Sequence, residues 1–112
     1  DVVDAVRDDA HLTPTEMRVD GGAAANDLLM QFQADVLDLP LARPAVTETT
    51  ALGAAYLAGL ATGVFENTDD IAARWTAERR FEPRMSDNER TALRSRWNEA
   101  VERAKGWAVE ED

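Results

Sequence analysis

One stretch of this sequence has the residue types and spacing of a ligand site: Val19-Asp20-Gly21-Gly22-Ala23-Ala24-Ala25-Asn26. A short strand runs into paired glycines and then into a helix opened by small residues. Glycine has no β-carbon to hold a ligand away from the backbone, and it tolerates unusual dihedrals. Amides at a helix start, with the positive end of the helix dipole, suit phosphate oxygens. Asn26 follows Gly22 at about one helical turn, so its side chain faces the same ligand from further along. The same residues also describe a structural tight turn with Asn26 as an incidental helix cap. Spacing alone leaves both readings open.

Around that segment the chain reads as an alternation of helices and short strands. Asp1 to Ala10 carries Val2, Val3, Val6 and Ala10 at helical spacing and ends ahead of Pro14. No capping residue leads into it, so the chain reads as beginning inside a helix, as a piece of a longer protein would. Met17-Arg18-Val19-Asp20 alternates like a strand and stops at Gly21-Gly22. A helix is expected from about Ala24 to Leu37, with Leu28, Leu29, Phe32, Val36 and Leu37 as its apolar stripe. Leu39 to Arg43 forms a second strand, which Pro40 and Pro44 assign to a sheet edge.

Thr49 or Thr50 caps the next helix, whose body from Ala51 to Ala61 is apolar on every face. Such a helix is expected in the core, and it is too short for a bilayer. Gly63 stops it. Asn67 or Thr68 opens a short helix bearing Ile71, Ala72 and Trp75, and Thr76 to Phe81 reads as extended. Ser86 and Glu89 fit a capping box, and Leu93, Trp97, Val101, Ala104 and Trp107 continue down one face of the final helix. Trp97 and Trp107 read as packing anchors, and the acidic tail after them is expected to fray.

The 112 residues leave room for one domain or a piece of one, and 45% hydrophobic content argues against wholesale disorder. Asp and Glu number 22 against 12 Lys and Arg, a formal charge of -10 that repels phosphate backbones and anionic lipids. Nucleic-acid binding and membrane insertion are therefore not expected. The acids are dispersed (Asp8, Asp9, Asp38, Asp69, Asp70, Glu110, Glu111, Asp112) and read as a solvated face. Adaptation to high salt also accounts for them, because screening removes their mutual repulsion. Without cysteine, and with His11 as the lone histidine, disulfides, thiolate chemistry and Cys-based zinc sites are excluded. A cytoplasmic location is the default expectation.

The stretch from Met17 to Gln33 closely resembles the adenosine-binding segment of the glycerol kinases, in the FGGY carbohydrate kinase family. The resemblance continues through Arg43-Pro44, through Thr50 to Leu60, and through Phe81-Glu82-Pro83 and the Trp97 to Trp107 helix. That family has two ribonuclease H-like domains of the actin–hexokinase type, with ATP in the cleft between them. The resemblance implies an α/β, helix-rich part of such an ATPase domain, with about five helices and two or three short strands. It makes residues 1–112 a piece of the C-terminal kinase domain, with a nucleotide-binding segment at 17–37, a core helix at 50–61 and a C-terminal helix at 86–107.

By the same resemblance Gly22, helped by Gly21, lies near the nucleotide phosphates, and Asn26 contacts the adenosine portion. Asp20 orients the turn or is purely structural. The implied parent transfers the γ-phosphate of ATP to glycerol, giving glycerol 3-phosphate. The catalytic Asp, the glycerol-gripping residues and the ligands for Mg2+ fall outside the segment represented, so no catalytic or metal residue is assigned. The chain is expected to be inactive alone. Its expected partners are the N-terminal part of the same kinase, ATP or ADP, and glycerol through that absent part, with homo-oligomerisation through the exposed interdomain face. Two rivals stand beside this: another FGGY sugar or polyol kinase, and a stand-alone nucleotide-binding or interaction module.

Overall fold

The computed structural model describes residues 1–106. Five α-helices and three strands follow one another along the chain: α1 (Val2–Ala10), β1 (Met17–Arg18), a 3-10 turn (Gly22–Ala25), α2 (Asp27–Leu37), β2 (Leu41–Pro44), α3 (Thr49–Ala61), α4 (Thr68–Ala72), β3 (Ala77–Phe81) and α5 (Asp87–Ala104). The α/β, helix-rich expectation holds. Trp107 and the acidic tail lie outside the described residues.

β1, the 3-10 turn, α2 and β2 form a parallel crossover, pairing Met17 with Leu41 and Arg18 with Ala42. β3 then pairs antiparallel with β2, Leu41 opposite Phe81 and Ala42 opposite Arg80. The order β1-β2-β3 makes β2 the central strand, not the edge strand that its prolines suggested. The positions of those prolines explain it. Pro40 precedes the strand and contributes a carbonyl, which accepts from the Met17 amide at 2.9 Å. Pro44 falls where the register with β3 slips. Neither removes an amide that the ladder needs.

The core is small and centred on this strand. Ala24, Met30, Ala34, Leu41 and Phe81 form one buried cluster, with Met17, Val19 and Leu37 packed against it. α2 therefore buries the Met30/Ala34 face, one turn apart, and leaves most of the expected stripe outside: Leu28, Leu29 and Phe32 are all exposed. Small Ala34 lets the helix approach the sheet, where a larger residue would hold it off. Phe32, Val36 and Leu37 instead line a groove of about 490 Å³ shared with Leu93 and Trp97 of α5. α1 closes its rim, because the Trp97 indole N–H donates to Asp1 Oδ2 at 2.7 Å and Arg94 pairs with Asp4.

α5 opens with the capping box read from the sequence, Ser86 and Glu89 satisfying each other's backbone amides. Asn67 likewise caps α4, accepting from the Asp70 amide at 3.0 Å. Trp75 lies beyond that short helix, with the Arg18 guanidinium 3.9 Å from its ring centroid. α3 departs from expectation twice. Neither threonine caps it, since Glu48 occupies the cap position and makes no side-chain bond there. Nor is it a core helix: Gly59 is its one buried residue, tucked against the Phe65 ring. A helix that is apolar all round has no preferred face, and little of this chain packs on it.

Candidate functional site

The glycine segment is built at the end of β1. Val19 continues the strand by donating to the Ala42 carbonyl at 3.0 Å, and Gly21 then donates to the Thr47 carbonyl at 3.1 Å. Gly21 turns the chain with φ 81 and ψ 171, a conformation essentially confined to glycine. Its carbonyl accepts the Ala24 amide at 3.0 Å and closes the 3-10 turn. Asp20, just before the turn, accepts a hydrogen bond from the Thr49 hydroxyl at the start of α3.

The expectation of a helix running straight from the glycines is corrected here. α2 begins only at Asp27, because Asn26 adopts an extended conformation and its Oδ1 accepts the Leu29 amide at 3.1 Å. Asn26 is thus a working N-cap, the plainer of the two readings the sequence left open. Its side-chain nitrogen donates to nothing among the described residues, which leaves one donor at the mouth of the turn. The amides of Gly22 and Ala23, leading positions of the 3-10 turn, also donate to nothing among the described residues.

Gly21, Gly22 and Asn26 therefore share one exposed turn. Backbone conformation demands glycine at 21. At 22 nothing among the described residues does, because a β-carbon there meets no atom within 4 Å and no left-handed φ is required. That side of the turn is open space bordered by unpaired donors. It suits an acceptor-rich group approaching the backbone closely.

Sequence reasoning missed the residue that holds the turn from behind. Arg43 projects from β2 with its side chain only 9% exposed. Its Nη1 donates to the Ala24 carbonyl at 2.9 Å and to Asp27 Oδ1 at 2.8 Å, while Nε donates to Glu78 Oε2 at 3.1 Å. Arg79 also pairs with Asp27. The hydrogen bond from Arg43, with both positive charges nearby, holds the Asp27 carboxyl below its usual value, and the same bond raises Arg43. The available signal was a lone arginine in an otherwise apolar strand. A buried guanidinium demands acidic or carbonyl partners.

Residues 1–62 match the profile described as the FGGY family of carbohydrate kinases, C-terminal domain. The chain belongs to the FGGY family. It is 58% identical over 109 residues to a glycerol kinase of Herminiimonas arsenicoxydans, covering 97% of this chain and 22% of that protein. A glycerol kinase of Deinococcus radiodurans is 57% identical over 107 residues, with 96% of this chain and 21% of that protein covered. This FGGY chain thus spans about a fifth of the length of the curated relatives it matches. Among solved structures, Plasmodium falciparum glycerol kinase with ADP superposes with a TM-score of 0.74 at 33% identity, over 93% of this chain and 21% of that one. Xylulose kinase of Lactobacillus acidophilus shares the fold at a TM-score of 0.72 and 19% identity, over 88% of this chain and 20% of that one.

Proposed function

We propose that this FGGY chain is the ATP/ADP-binding portion of a glycerol kinase that transfers the γ-phosphate of ATP to glycerol. The observation that carries the reading is the open face of Gly22, bordered by the amides of Gly22 and Ala23 and the side-chain nitrogen of Asn26, none of which donates to any group among the described residues. On this reading Gly21 and Gly22 let the nucleotide phosphates approach the backbone, and Asn26 donates to the adenosine portion while its oxygen keeps capping α2. Asp20 steadies the turn through Thr49. The identity of 56–58% to glycerol kinases favours glycerol as acceptor over another polyol.

Phosphoryl transfer needs a base for the attacking hydroxyl and neutralisation of the transferred charge. No residue here is assigned either task, so the acceptor side and the second wall of the nucleotide cleft belong to the remainder of the kinase. Mg2+ supplies charge neutralisation when bound in such a reaction. Among the described residues no group of three or more His, Cys, Asp or Glu could hold it. The described residues are therefore assigned no part in holding the ion.

Titrating ADP into the chain in high-salt buffer tests the reading, alongside Asn26→Ala, which loses cap and donor, and Asn26→Ser, which retains a capping oxygen. Weak saturable binding is expected, reduced in both variants although Asn26→Ser keeps the helix cap. Equal affinity in all three proteins removes Asn26 from the site. No saturable binding by the unaltered chain refutes the nucleotide role.

A further inference from the structure

We infer that Arg43 is a positioning residue for the nucleotide turn, fixing the 3-10 backbone from behind so that the amides of Gly22 and Ala23 keep one arrangement. The inference rests on the nucleotide reading proposed above and names the group that makes that site rigid.

Three observations carry it. Arg43 stands on the central strand, the most anchored element of the chain, next to the paired residues Leu41 and Phe81. Its Nη1 reaches past the helix start to the Ala24 carbonyl, a backbone atom of the turn itself, as well as to Asp27 in the first turn of α2. The remaining bond, from Nε to Glu78, ties the same guanidinium to β3. One planar group thus connects sheet, turn and helix. Ala24 is buried and contributes only its carbonyl to this contact, so no side chain of the turn does the same job.

A carbonyl held by a charged donor fixes the peptide plane that it shares with the next residue. That restrains the short run from Gly21 to Asn26, where the amides of Gly22 and Ala23 donate to nothing among the described residues. Lysine in place of Arg43 keeps the charge, yet its compact ammonium cannot span Ala24, Asp27 and Glu78 together. Glu78→Gln alters the β3 arm alone and leaves the bonds to Ala24 and Asp27 intact. The two variants separate positioning of the turn from general stability.

The test compares ADP affinity and melting temperature for the unaltered chain, Arg43→Lys and Glu78→Gln, with the amide resonances of Gly22 and Ala23 followed by NMR. Arg43→Lys is expected to weaken ADP about tenfold and to shift both resonances before ligand is added. Glu78→Gln is expected to hold affinity within about twofold while lowering the melting temperature. Unchanged affinity in folded Arg43→Lys overturns the assignment. So does equal weakening by Glu78→Gln, which makes stability the cause. Absence of ADP binding by the unaltered chain instead overturns the nucleotide reading itself, and is told apart by the first titration.

Discussion

The carboxylate of Asp20 accepts a hydrogen bond from the hydroxyl of Thr49, tying the end of β1 to the first residue of α3. The backbone bond from Gly21 to Thr47 runs alongside it, so the glycine turn is pinned at two points to the entry of α3. Thr49→Val removes the side-chain bond and keeps the shape. For an exposed pair the expected loss is about 0.5–1.5 kcal/mol in urea unfolding, recovered by Thr49→Ser. A Thr49→Val protein as stable as the parent discounts the tie.

The paired glycines should respond oppositely to a side chain. Gly21→Ala forces alanine into a glycine-only conformation at a cost of about 1–3 kcal/mol. Gly22→Ala meets no atom within 4 Å and needs no left-handed backbone, so its stability should match or slightly exceed the parent. Its cost should fall on ADP affinity instead. Denaturation midpoints and ADP titrations of both proteins decide the matter.

Asp27 sets a pH dependence with a definite sign. Its folded-state pKa lies below the ordinary 3.8, chiefly through the hydrogen bond from Arg43, whereas in the unfolded chain it returns to that value. The unfolded state therefore binds the proton first on acidification. The contribution is fully present above the unfolded value and is lost as pH falls through the lower folded one. Urea midpoints of the parent and Asp27→Asn should differ at pH 7 and converge below about pH 4.

Two glycines of α3 provide another contrast. Gly53 faces open space, so Gly53→Ala should stabilise by up to about 1 kcal/mol through helix propensity. At Gly59 an added β-carbon lies 2.5 Å from Cδ2 and Cε2 of Phe65, and the ring must move. That ring also meets Tyr56 edge-on at 5.6 Å between centroids, so Gly59→Ala should cost about 1–3 kcal/mol. Thermal unfolding of the two variants checks both signs.

The formal charge of -10 should make folding salt-dependent. Raising KCl from about 0.1 to 1 M shortens the screening length about threefold and relieves acidic self-repulsion. A rise of about 5 °C in melting temperature is expected, equivalent to about 1 kcal/mol in a chain of this size. A flat KCl series assigns the acids no such role.

What the sequence revealed, and what it concealed, follows from the range of each interaction. Ser86 with Glu89 and the stop at Gly21 depend on neighbours within one turn and are legible, whereas the start of α4 narrows only to Asn67 or Thr68. The central position of β2 was not, because a proline's effect depends on which amides face a partner strand. The inward face of α2 was misjudged because Leu28 and Phe32 are more apolar than Ala34, while close approach to the sheet rewards smallness. Arg43 was invisible as a structural hub since its partners lie 16, 19 and 35 residues away. Of the candidate site, the glycine turn is legible from residue type. The break in the helix at Asn26 required the fold.

α3 has a practical consequence. Thirteen residues, none of them charged, present Leu57 at 70% exposure and several alanines to water. An environment-sensitive dye such as anilinonaphthalene sulfonate should brighten on the natively folded chain, a signal ordinarily taken to mean a loosened core. Glutamate at Leu57 should quench the dye signal and raise the concentration at which the chain stays dispersed, with little change in its melting curve.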